Sequence, residues 1–588
     1  MLQRDYLNYR LALLELLAKT FAVACIIGEA VLRVLPTPTP WFVRLAAYPI
    51  ATIAYWTVRK ALRRRRNARE AARLGAQLVP VIEGKWPGSL DIVVELEREM
   101  RNGYATLQWN KFFEMGNSNT VIVRMLWDEF IITRDDVHNR FILTQGFQHF
   151  EKGNNFKYIM QSLVGDSLFN TDGDQWKTQR AMNRPFFNKD RVADLLAIGK
   201  HADITINLIM SKGGQPVDVQ DLFARFTLDA AFEFMFGQQL NTLKGRLPEA
   251  GAAEHGPKGT KSLDEFGSFA QAMDQTQIII EERLMSHPIW MFREFLTDSM
   301  EAPMKTINAF VEAFVEQAFS DCQELQAKDV EVNVETCTMA QYFASHFNDR
   351  KAVRDQMTTM LLAGRDTTSC LLTFATYLLA TNPDVFTKLR QHVLANCGTD
   401  HPPTLENIRQ MKYLRAVIDE TLRLFPPAPV SSRVAQRDIL LPPSRPGEPV
   451  YFVPRGVEVA WFPLLTHRRS DIWGEDAEEF SPDRWLDEDV IKTINAHPGQ
   501  FMSFGAGPRA CIGQQFAYNE ASFFLARLMQ RVSGITFAPE AAPAGSAPPT
   551  EWAKANGRQA YEKCHPLTAL ILYSKGGMWL RFHAADSV

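Results

Sequence analysis

The sequence predicts a mainly α-helical fold with small β-sheets, preceded by an N-terminal segment that anchors the chain in a membrane. Three observations lead to this fold class. From about residue 190 onward most of the chain has the apolar spacing of long helices, as in ADLLAIGKHADITINLIM and RDQMTTMLLAGRDTTSCLLTFATYLLA. Strand-like runs are few and short, such as VYFVP and TALILYS. Near the N-terminus, an apolar run precedes a dense cluster of basic residues.

The apolar run covers residues 45–58, LAAYPIATIAYWTV, which carry no charge. Trp41 and Phe42 extend it to about the minimum length that spans a bilayer, provided that the side chain of Arg44 reaches the interface. A basic flank is typical of the cytosolic side of a membrane span, so the rest of the chain is expected in the cytosol. The members of this flank are Arg59, Lys60, Arg63, Arg64, Arg65, Arg66, Arg69 and Arg73.

An earlier apolar stretch, residues 11–35, carries four charges that would lie together on one side of a helix: Glu15, Lys19, Glu29 and Arg33. This stretch can lie in the membrane interface, or it can span the membrane as the first arm of a hairpin. The prolines that would turn such a hairpin are Pro36, Pro38 and Pro40. Both arrangements leave residue 59 onward in the cytosol. A third alternative is a soluble amphipathic hairpin packed on the domain.

The boundary between anchor and globular domain is predicted in LVPVIEGKWPGSLD, residues 78–91, where prolines and glycines interrupt the periodicity. We therefore assign residues 1–80 to the anchor and residues 81–588 to one large domain. Within that domain two segments are predicted to be exposed insertions: 243–261, LKGRLPEAGAAEHGPKGTK, and 538–549, APEAAPAGSAPP.

Composition and charge exclude several classes of function. The 588 residues, 46% of them hydrophobic, suffice for a large buried core. A net charge of −3 and a pI near 6.5 give no general electrostatic case for nucleic acid, so no nucleic-acid partner is expected. The seven cysteines are an odd number, widely scattered and without a C-x-x-C pair, which indicates neither a disulfide framework nor a zinc site.

The stretch FMSFGAGPRACIGQQFAYNEASFF, residues 501–524, is compatible with two cofactors. Gly505, Gly507 and Ala510 have the spacing of a dinucleotide-binding loop. That loop needs a buried strand before it and further βαβ units after it, whereas only FMSF precedes it here and a Pro/Ala-rich segment follows. The other cofactor is a thiolate-bound haem, because Cys511 lies beside Arg509 and before a helix whose N-terminal end favours a thiolate. We favour the haem.

The ten residues 504–513, FGAGPRACIG, resemble the cysteine-loop signature of the cytochrome P450 haem-thiolate monooxygenases. The resemblance extends from about residue 86 to the C-terminus and implies the cytochrome P450 fold with a bound haem b (iron protoporphyrin IX). It implies Cys511 as the axial ligand of the haem iron, Arg509 as a propionate partner and Phe504 as a ring packed beneath the haem. The glycines that would permit the backbone of this loop are Gly505, Gly507 and Gly513.

Another motif of the same family is AGRDTT, residues 363–368, inside a long apolar helix. The resemblance implies that Thr367 supports the bound oxygen and that Asp366 relays protons. A threonine in mid-helix can donate to a carbonyl one turn earlier and open the helix locally. The small residues Ala363 and Gly364 would allow a flat cofactor to approach the helix closely.

Two further motifs complete the resemblance. Glu420 and Arg423 of ETLR lie three residues apart on one helix face and, with Arg484 of FSPDRW, resemble the Glu-Arg-Arg triad of the family. We expect this triad to be structural, because it locks the cysteine loop and takes no part in the chemistry. The resemblance also makes three residues partners of the haem propionates: Trp176 and Arg180 in WKTQR, and Arg433 in PVSSR.

The resemblance implies an enzyme that inserts one oxygen atom of O2 into an organic substrate and reduces the other to water. Because we find no flavin or nicotinamide motif in the chain, the electrons are expected from NADPH through a separate NADPH-cytochrome P450 reductase. Enzyme and reductase would share the endoplasmic reticulum membrane, with the catalytic domain facing the cytosol. GRDTTS, FSPDRW and GQQFAYNEASFF resemble fungal branches that hydroxylate fatty acids, n-alkanes and hydrophobic aromatics, which implies a hydrophobic substrate. Two alternatives stay open: a peroxide isomerase or dehydratase that needs no external electrons, and a non-enzymatic haem sensor.

Overall fold

The computed structural model describes residues 9–34, 40–125, 128–188, 195–262, 265–286 and 289–585. In these ranges helices predominate and the strands have two to six residues, which confirms the predicted fold class. The helices are α1 (Tyr9–Val34), α2 (Trp41–Arg73), α3 (Leu90–Asn102), α4 (Asn110–Gly116), α5 (Asp136–Leu143), α6 (Asn154–Val164), α7 (Gly173–Asn183), α8 (Leu196–Ser211), α9 (Val219–Phe236), α10 (Glu265–Met285), α11 (Ile289–Arg293), α12 (Glu301–Ala327), α13 (Met339–His346), α14 (Arg350–Thr381), α15 (Pro383–Cys397), α16 (Leu405–Gln410), α17 (Lys412–Leu424), α18 (Pro463–Thr466), α19 (Ser470–Trp473), α20 (Glu488–Ala496) and α21 (Gln514–Arg531).

The strands form one six-stranded sheet and three smaller ones. They are β1 (Gln77–Leu78), β2 (Val81–Ile82), β3 (Thr120–Met125), β4 (Asp128–Thr133), β5 (Phe150–Glu151), β6 (Val217–Asp218), β7 (Ser431–Ala435), β8 (Ile439–Leu441), β9 (Tyr451–Val453), β10 (Glu458–Trp461), β11 (Val532–Phe537), β12 (Pro566–Ala569), β13 (Ile571–Ser574) and β14 (Trp579–Ala584). The large sheet has the order β2-β3-β4-β10-β7-β5, and the others are β1-β9-β8, β11-β14-β6 and β12-β13. The antiparallel pair β5 and β7 positions the site, because it brings the residues after Glu151 beside the strand that carries Arg433.

The run TALILYS, read as a strand in the sequence, is a hairpin in the structure. Residue Leu570 lies between β12 and β13 with a φ of +62°, and Ala569 pairs with Ile571 across the turn. The Leu570 N–H donates to the Glu281 carboxylate at 3.3 Å. The single-strand prediction was wrong because an apolar residue with positive φ gives no turn signal in the sequence.

Helix α14 runs through the core and organises the domain. It begins after Asp349, whose carboxylate accepts a hydrogen bond from the Lys351 N–H at 2.9 Å. One side packs closely along α9, since a Cβ on Gly364 would lie only 3.2 Å from the Cβ of Ala231. Helices α17 and α21 pack against other sides of α14. The ETLR motif and the helix after Cys511 therefore share one core with the AGRDTT motif.

Helices α1 and α2 pack against each other as a hairpin at the N-terminus. Of the described helices, α1 is the one long and apolar enough to cross a membrane, over Tyr9–Ala30. The uncharged run 45–58 forms the first half of α2, which continues without interruption through the basic flank to Arg73. The start of α1 contacts the domain, because the Tyr9 hydroxyl donates to the Glu294 carbonyl at 2.8 Å. The expected turn residues Pro36 and Pro38 lie outside the described ranges.

The two predicted insertions are irregular, as expected, but the prediction that they are exposed was wrong for part of each. The buried side chains of 243–261 are Leu243, Leu247, Pro248 and Lys258. In 538–549, Ala538 and Ala541 pack against Trp579. Single buried residues among glycines and prolines leave no periodic pattern, so the sequence gives no sign of their burial.

Candidate active site

The cysteine loop, residues 504–513, is a tight turn that ends where α21 begins. The Cys511 N–H donates to the Phe504 carbonyl at 2.8 Å and closes the turn. Gly505 and Gly507 have φ values of +67° and +66°, as the glycine pattern predicted. A Cβ on Gly507 would lie 2.0 Å from the Leu143 carbonyl oxygen, so this position excludes every side chain.

Gly513 differs from the other two glycines. Its φ is −89°, which any residue can adopt, so the backbone at this position does not depend on a glycine. What it contributes is its N–H group, which acts on the Cys511 thiol at the start of α21. Gly513 therefore forms the start of α21, whereas Gly505 and Gly507 provide the positive φ values of the turn.

The Cys511 thiol is accessible to solvent, yet burial raises its pKa. The thiol is therefore open to a ligand although protein surrounds it on its other sides. The Gly513 N–H and the charge of Arg180 oppose the increase, as expected for a helix start, but burial outweighs them. A thiol in this position becomes a thiolate when a cation binds it directly, because a metal deprotonates a coordinating thiol.

Three cationic side chains converge beside the loop: Lys152, Arg433 and Arg509. Burial, with the charges of the other two, holds the pKa of Lys152 well below its ordinary value. Burial and the charge of Arg509 lower the pKa of Arg433 to about 9. Asp172 lies among them and accepts from Arg509 at 2.7 Å, but it is shared with Lys157 at 3.0 Å. The surplus of buried positive charge suits a ligand that carries carboxylates.

Helix α7 places Trp176 and Arg180 next to this cluster. The Arg509 guanidinium lies 4.5 Å from the centre of the buried Trp176 ring. Arg180, one turn later, donates to the Ala510 carbonyl at 3.0 Å, next to Cys511. The structure thus brings Trp176 to the cationic cluster and Arg180 to the backbone of the cysteine loop. Phe504, in the same loop, is half-buried and packs on Tyr518 with 4.9 Å between ring centres.

The AGRDTT segment leaves one face of α14 exposed. The helix is buried along most of its length, but Ala363 is exposed and Thr367, one turn later, is partly exposed on the same face. The Thr367 hydroxyl donates to the Ala363 carbonyl at 2.6 Å, as predicted. Helix α14 is nevertheless continuous from Arg350 to Thr381, so the predicted local opening is absent from this helix. Gly364 packs on α9, so only Ala363 leaves room on the open face.

Asp366 is buried between α14 and α10. Its Oδ1 accepts from Arg365 at 2.8 Å and its Oδ2 accepts from the Gln277 amide at 2.7 Å. Arg365 also pairs with Asp274 on α10 at 3.2 Å. The carboxylate next to Thr367 is therefore held by donors from two helices.

Comparison with known proteins agrees with this geometry. A sequence model of the family "Cytochrome P450" matches residues 108–540. The chain is 34% identical over 474 residues to "Cytochrome P450 52-E3" of Starmerella bombicola, which covers 79% of this chain and 87% of that protein. It is 30% identical to "Cytochrome P450 52A6" of Candida tropicalis, with 81% and 89% covered. It is 34% identical to "Cytochrome P450 monooxygenase himC" of Aspergillus japonicus, with 74% of each covered.

This chain belongs to the cytochrome P450 family. The predicted family and enzyme class, a monooxygenase, are confirmed, as is haem (iron protoporphyrin IX) as the cofactor. The residues present fit that cofactor on two observations. The Cys511 thiol is accessible, and a buried surplus of positive charge lies beside its loop. Residues 501–524 are therefore a haem-binding segment, and the dinucleotide alternative was wrong.

In this P450 the predicted triad forms behind the cysteine loop. Arg423 donates to both oxygens of Glu420, at 2.8 and 2.9 Å, and Arg484 donates to one of them at 3.0 Å. The Trp485 indole adds a fourth hydrogen bond at 2.8 Å. Although burial opposes it, the two arginines hold the pKa of Glu420 below its ordinary value. Helix α17 is thereby fixed to the segment around Trp485.

His467, which the sequence did not point to, links the triad to the cysteine loop. The Met502 N–H donates to His467 Nε2 at 2.8 Å, and His467 Nδ1 lies 3.2 Å from the Arg423 carbonyl. Nε2 is therefore an acceptor and Nδ1 carries the proton, as in a neutral imidazole. Burial and the charge of Arg423 lower the pKa of His467 to about 3. The Ser503 hydroxyl donates to the Leu422 carbonyl at 2.8 Å and forms a second link.

Lys152 is the other residue of the site that sequence reasoning missed. It follows β5, a strand of only two residues, and enters the site because β5 pairs with β7. A pairing across nearly 300 residues leaves no local signal. His467 was missed for the same reason, since its partners Met502 and Arg423 lie 35 and 44 residues away.

Proposed function

We propose that this cytochrome P450 is membrane-anchored and hydroxylates a hydrophobic organic substrate, a fatty acid, an alkane or a hydrophobic aromatic. The electrons come from NADPH through a separate NADPH-cytochrome P450 reductase. The balanced reaction is R–H + O2 + NADPH + H⁺ → R–OH + H2O + NADP⁺. The observation that carries the proposal is the accessible Cys511 thiol beside an unbalanced cluster of buried cations.

Cys511 binds the haem iron through Sγ, and the haem, when bound, supplies the O2 chemistry that attacks an unactivated C–H bond. Arg509, Arg433 and Trp176 hold the propionates, and Lys152 joins them. The surplus of charge supports this role, because the buried cations reach their ordinary protonation only with anions beside them. Phe504 would pack against the haem, and Arg180 would fix the loop through the Ala510 carbonyl and assist at the propionates. The contacts of Glu420, Arg423 and Arg484 support a purely structural role.

Asp366 and Thr367 deliver the protons that the reaction consumes. The Thr367 hydroxyl donates its hydrogen bond to the Ala363 carbonyl. The lone pairs of Thr367 Oγ1 therefore remain free to accept a hydrogen bond on the exposed face of α14. Asp366, next in sequence, accepts from Arg365 at Oδ1 and from Gln277 at Oδ2, which holds the carboxylate in place beside Thr367.

The apolar surface around the start of α1 supports a substrate drawn from the membrane. The Tyr9 ring packs on Trp290 of α11, with 4.8 Å between ring centres. Phe292 and Leu296, close to Trp290 in sequence, are 50% and 89% exposed. Large exposed apolar side chains beside an apolar helix indicate a membrane-facing surface.

We assign residues 1–80 to the anchor and 81–588 to the catalytic domain, which faces the cytosol from the endoplasmic reticulum membrane. The exposed arginines at 63–66 support this orientation. In sealed microsomes, protease added outside should degrade the catalytic domain and leave an N-terminal fragment. A fully protected catalytic domain would refute the orientation.

The substrate test uses the purified chain with the reductase, NADPH and isotopically labelled O2. Fatty acids of increasing length, an n-alkane and a hydrophobic aromatic are offered as substrates. We expect a product that carries one labelled oxygen and forms only with NADPH. Conversion of a fatty-acid hydroperoxide without NADPH would support the electron-independent alternative, and haem binding without any turnover would support the sensor.

A further inference from the structure

The segment 243–261 returns to the domain through a short hairpin at residues 254–261. The Lys261 N–H donates to the Glu254 carbonyl at 2.9 Å, and His255 pairs with Thr260. The Thr260 hydroxyl donates to Asp218 at 2.5 Å and fastens the hairpin to the start of α9. The tip reads GPKG, and its Lys258 is buried although it lies in a turn.

Lys258 begins a chain of hydrogen bonds that ends at Asp366. Its Nζ donates to Gln277 Oε1 at 3.0 Å, and Gln277 Nε2 donates to Asp366 Oδ2 at 2.7 Å. Gln277 is completely buried on α10. The insertion is therefore two hydrogen bonds from the carboxylate beside Thr367.

The chemistry of Lys258, Gln277 and Asp366 fixes the direction of both hydrogen bonds. An ammonium group can only donate, so Lys258 obliges Gln277 to present its oxygen toward the insertion. The NH2 group of Gln277 then points at Asp366, which must accept at Oδ2. Arg365 donates to Oδ1 from the other side. If neutral amides stood in place of Lys258 and Asp366, Gln277 could take either orientation.

Charge compensation supports the same connection. A buried ammonium is costly unless a negative charge lies near it, and the hydrogen-bond partner of Lys258 is a neutral amide. The carboxylate at the other end of that amide, Asp366, supplies the charge. The ring of Tyr573, with its centre 5.8 Å from Lys258 Nζ, covers the ammonium from another side.

We propose that Lys258 is a positioning residue for Asp366, acting through Gln277, an inference that rests on the proton-relay role proposed above. The insertion thereby sets the orientation of the relay carboxylate. Without Lys258, the Gln277 amide keeps its bond to Asp366 but loses the partner that anchors its oxygen, so the amide and the carboxylate that it holds are positioned less firmly. Proton delivery then fails more often, and electrons are lost by O2 + NADPH + H⁺ → H2O2 + NADP⁺.

The test compares Lys258→Met with a matched control, Lys261→Met, whose side chain is exposed in the same hairpin. Methionine keeps the length of the lysine side chain but removes the charge and the donor. Three quantities are measured on the holoenzyme: product formed per NADPH, hydrogen peroxide formed per NADPH, and the infrared C–O stretch of the reduced carbon monoxide complex. The third is independent of turnover and reports the polar groups facing the bound gas.

We expect product per NADPH to fall about tenfold in Lys258→Met, the equivalent of one hydrogen bond to a charged group. Hydrogen peroxide rises in proportion, the C–O band shifts or broadens, and Lys261→Met matches the wild type. Lys258→Arg, which keeps a donor-only cation, should recover part of the coupling. If Lys258→Met does not fold, Gln277→Leu breaks the same chain from α10 and should show the same loss.

Asp366→Asn separates this inference from the relay proposal itself. Loss of coupling in Asp366→Asn together with unchanged coupling and an unchanged C–O band in Lys258→Met or Gln277→Leu would overturn the positioning role and leave the relay intact. Unchanged coupling in Asp366→Asn would overturn both.

Discussion

His467 makes the stability of the folded chain depend on pH. It is buried and neutral, and it accepts the Met502 N–H at Nε2. Burial and the charge of Arg423 lower its pKa from 6.5 to about 3. Because the folded pKa is the lower one, the unfolded chain binds a proton first as the pH falls. The folded state therefore loses stability between pH 6.5 and pH 3 and keeps its full stability above pH 6.5.

The magnitude follows from the two pKa values. Between pH 7.5 and pH 5.0 the unfolded imidazole becomes almost fully protonated while the folded one stays neutral, which costs about 2 kcal/mol of unfolding free energy. His467→Gln removes this titration, and its side-chain oxygen can still accept the Met502 N–H. The variant should thus lose about 2 kcal/mol less than the wild type between the two pH values.

The assay is urea unfolding of the detergent-solubilised chain at both pH values, followed by far-UV circular dichroism. Subtracting the variant from the wild type removes the contribution of every other titrating group. His497→Gln, at an exposed position, serves as the matched control and should behave as the wild type does. Equal losses for the wild type and His467→Gln would refute the reasoning.

Three other predictions follow from the site. Glu420→Gln leaves the buried Arg423 without its counter-charge, so unfolding free energy should fall by about 3–5 kcal/mol, whereas the exposed Glu488→Gln should change little in the same urea titration. Lys152→Met removes one propionate partner, so haem should transfer to apomyoglobin faster than from the wild type; an equal transfer rate would contradict the assignment. Thr367→Ala should divert most NADPH electrons to hydrogen peroxide with substrate affinity unchanged, measured by peroxide assay and substrate titration.

Features encoded in contiguous residues could be predicted from the sequence. The positive φ values of Gly505 and Gly507 follow from the glycine pattern, and the Thr367 hydrogen bond follows from a threonine in mid-helix. The triad required the family resemblance, since Glu420 and Arg484 are 64 residues apart and no spacing rule joins them.

Features that depend on tertiary packing could not be predicted. Lys152 enters the cationic cluster through the pairing of β5 with β7, and Lys258 is buried because a glycine-rich hairpin folds back onto α10. The hairpin at Leu570 was missed because the Glu281 carboxylate, far away in the sequence, supports its turn. In each case the deciding partner comes from another part of the chain.

The central claim is that Cys511 is the thiolate ligand of the haem. The most direct measurement is the absorption spectrum of the reduced protein with carbon monoxide, for the wild type, Cys511→Ala and the control Cys397→Ala. A strongly red-shifted Soret band in the wild type and the control, lost in Cys511→Ala, is the predicted result. Retention of that band in Cys511→Ala, or its absence from the folded wild type, would contradict the account.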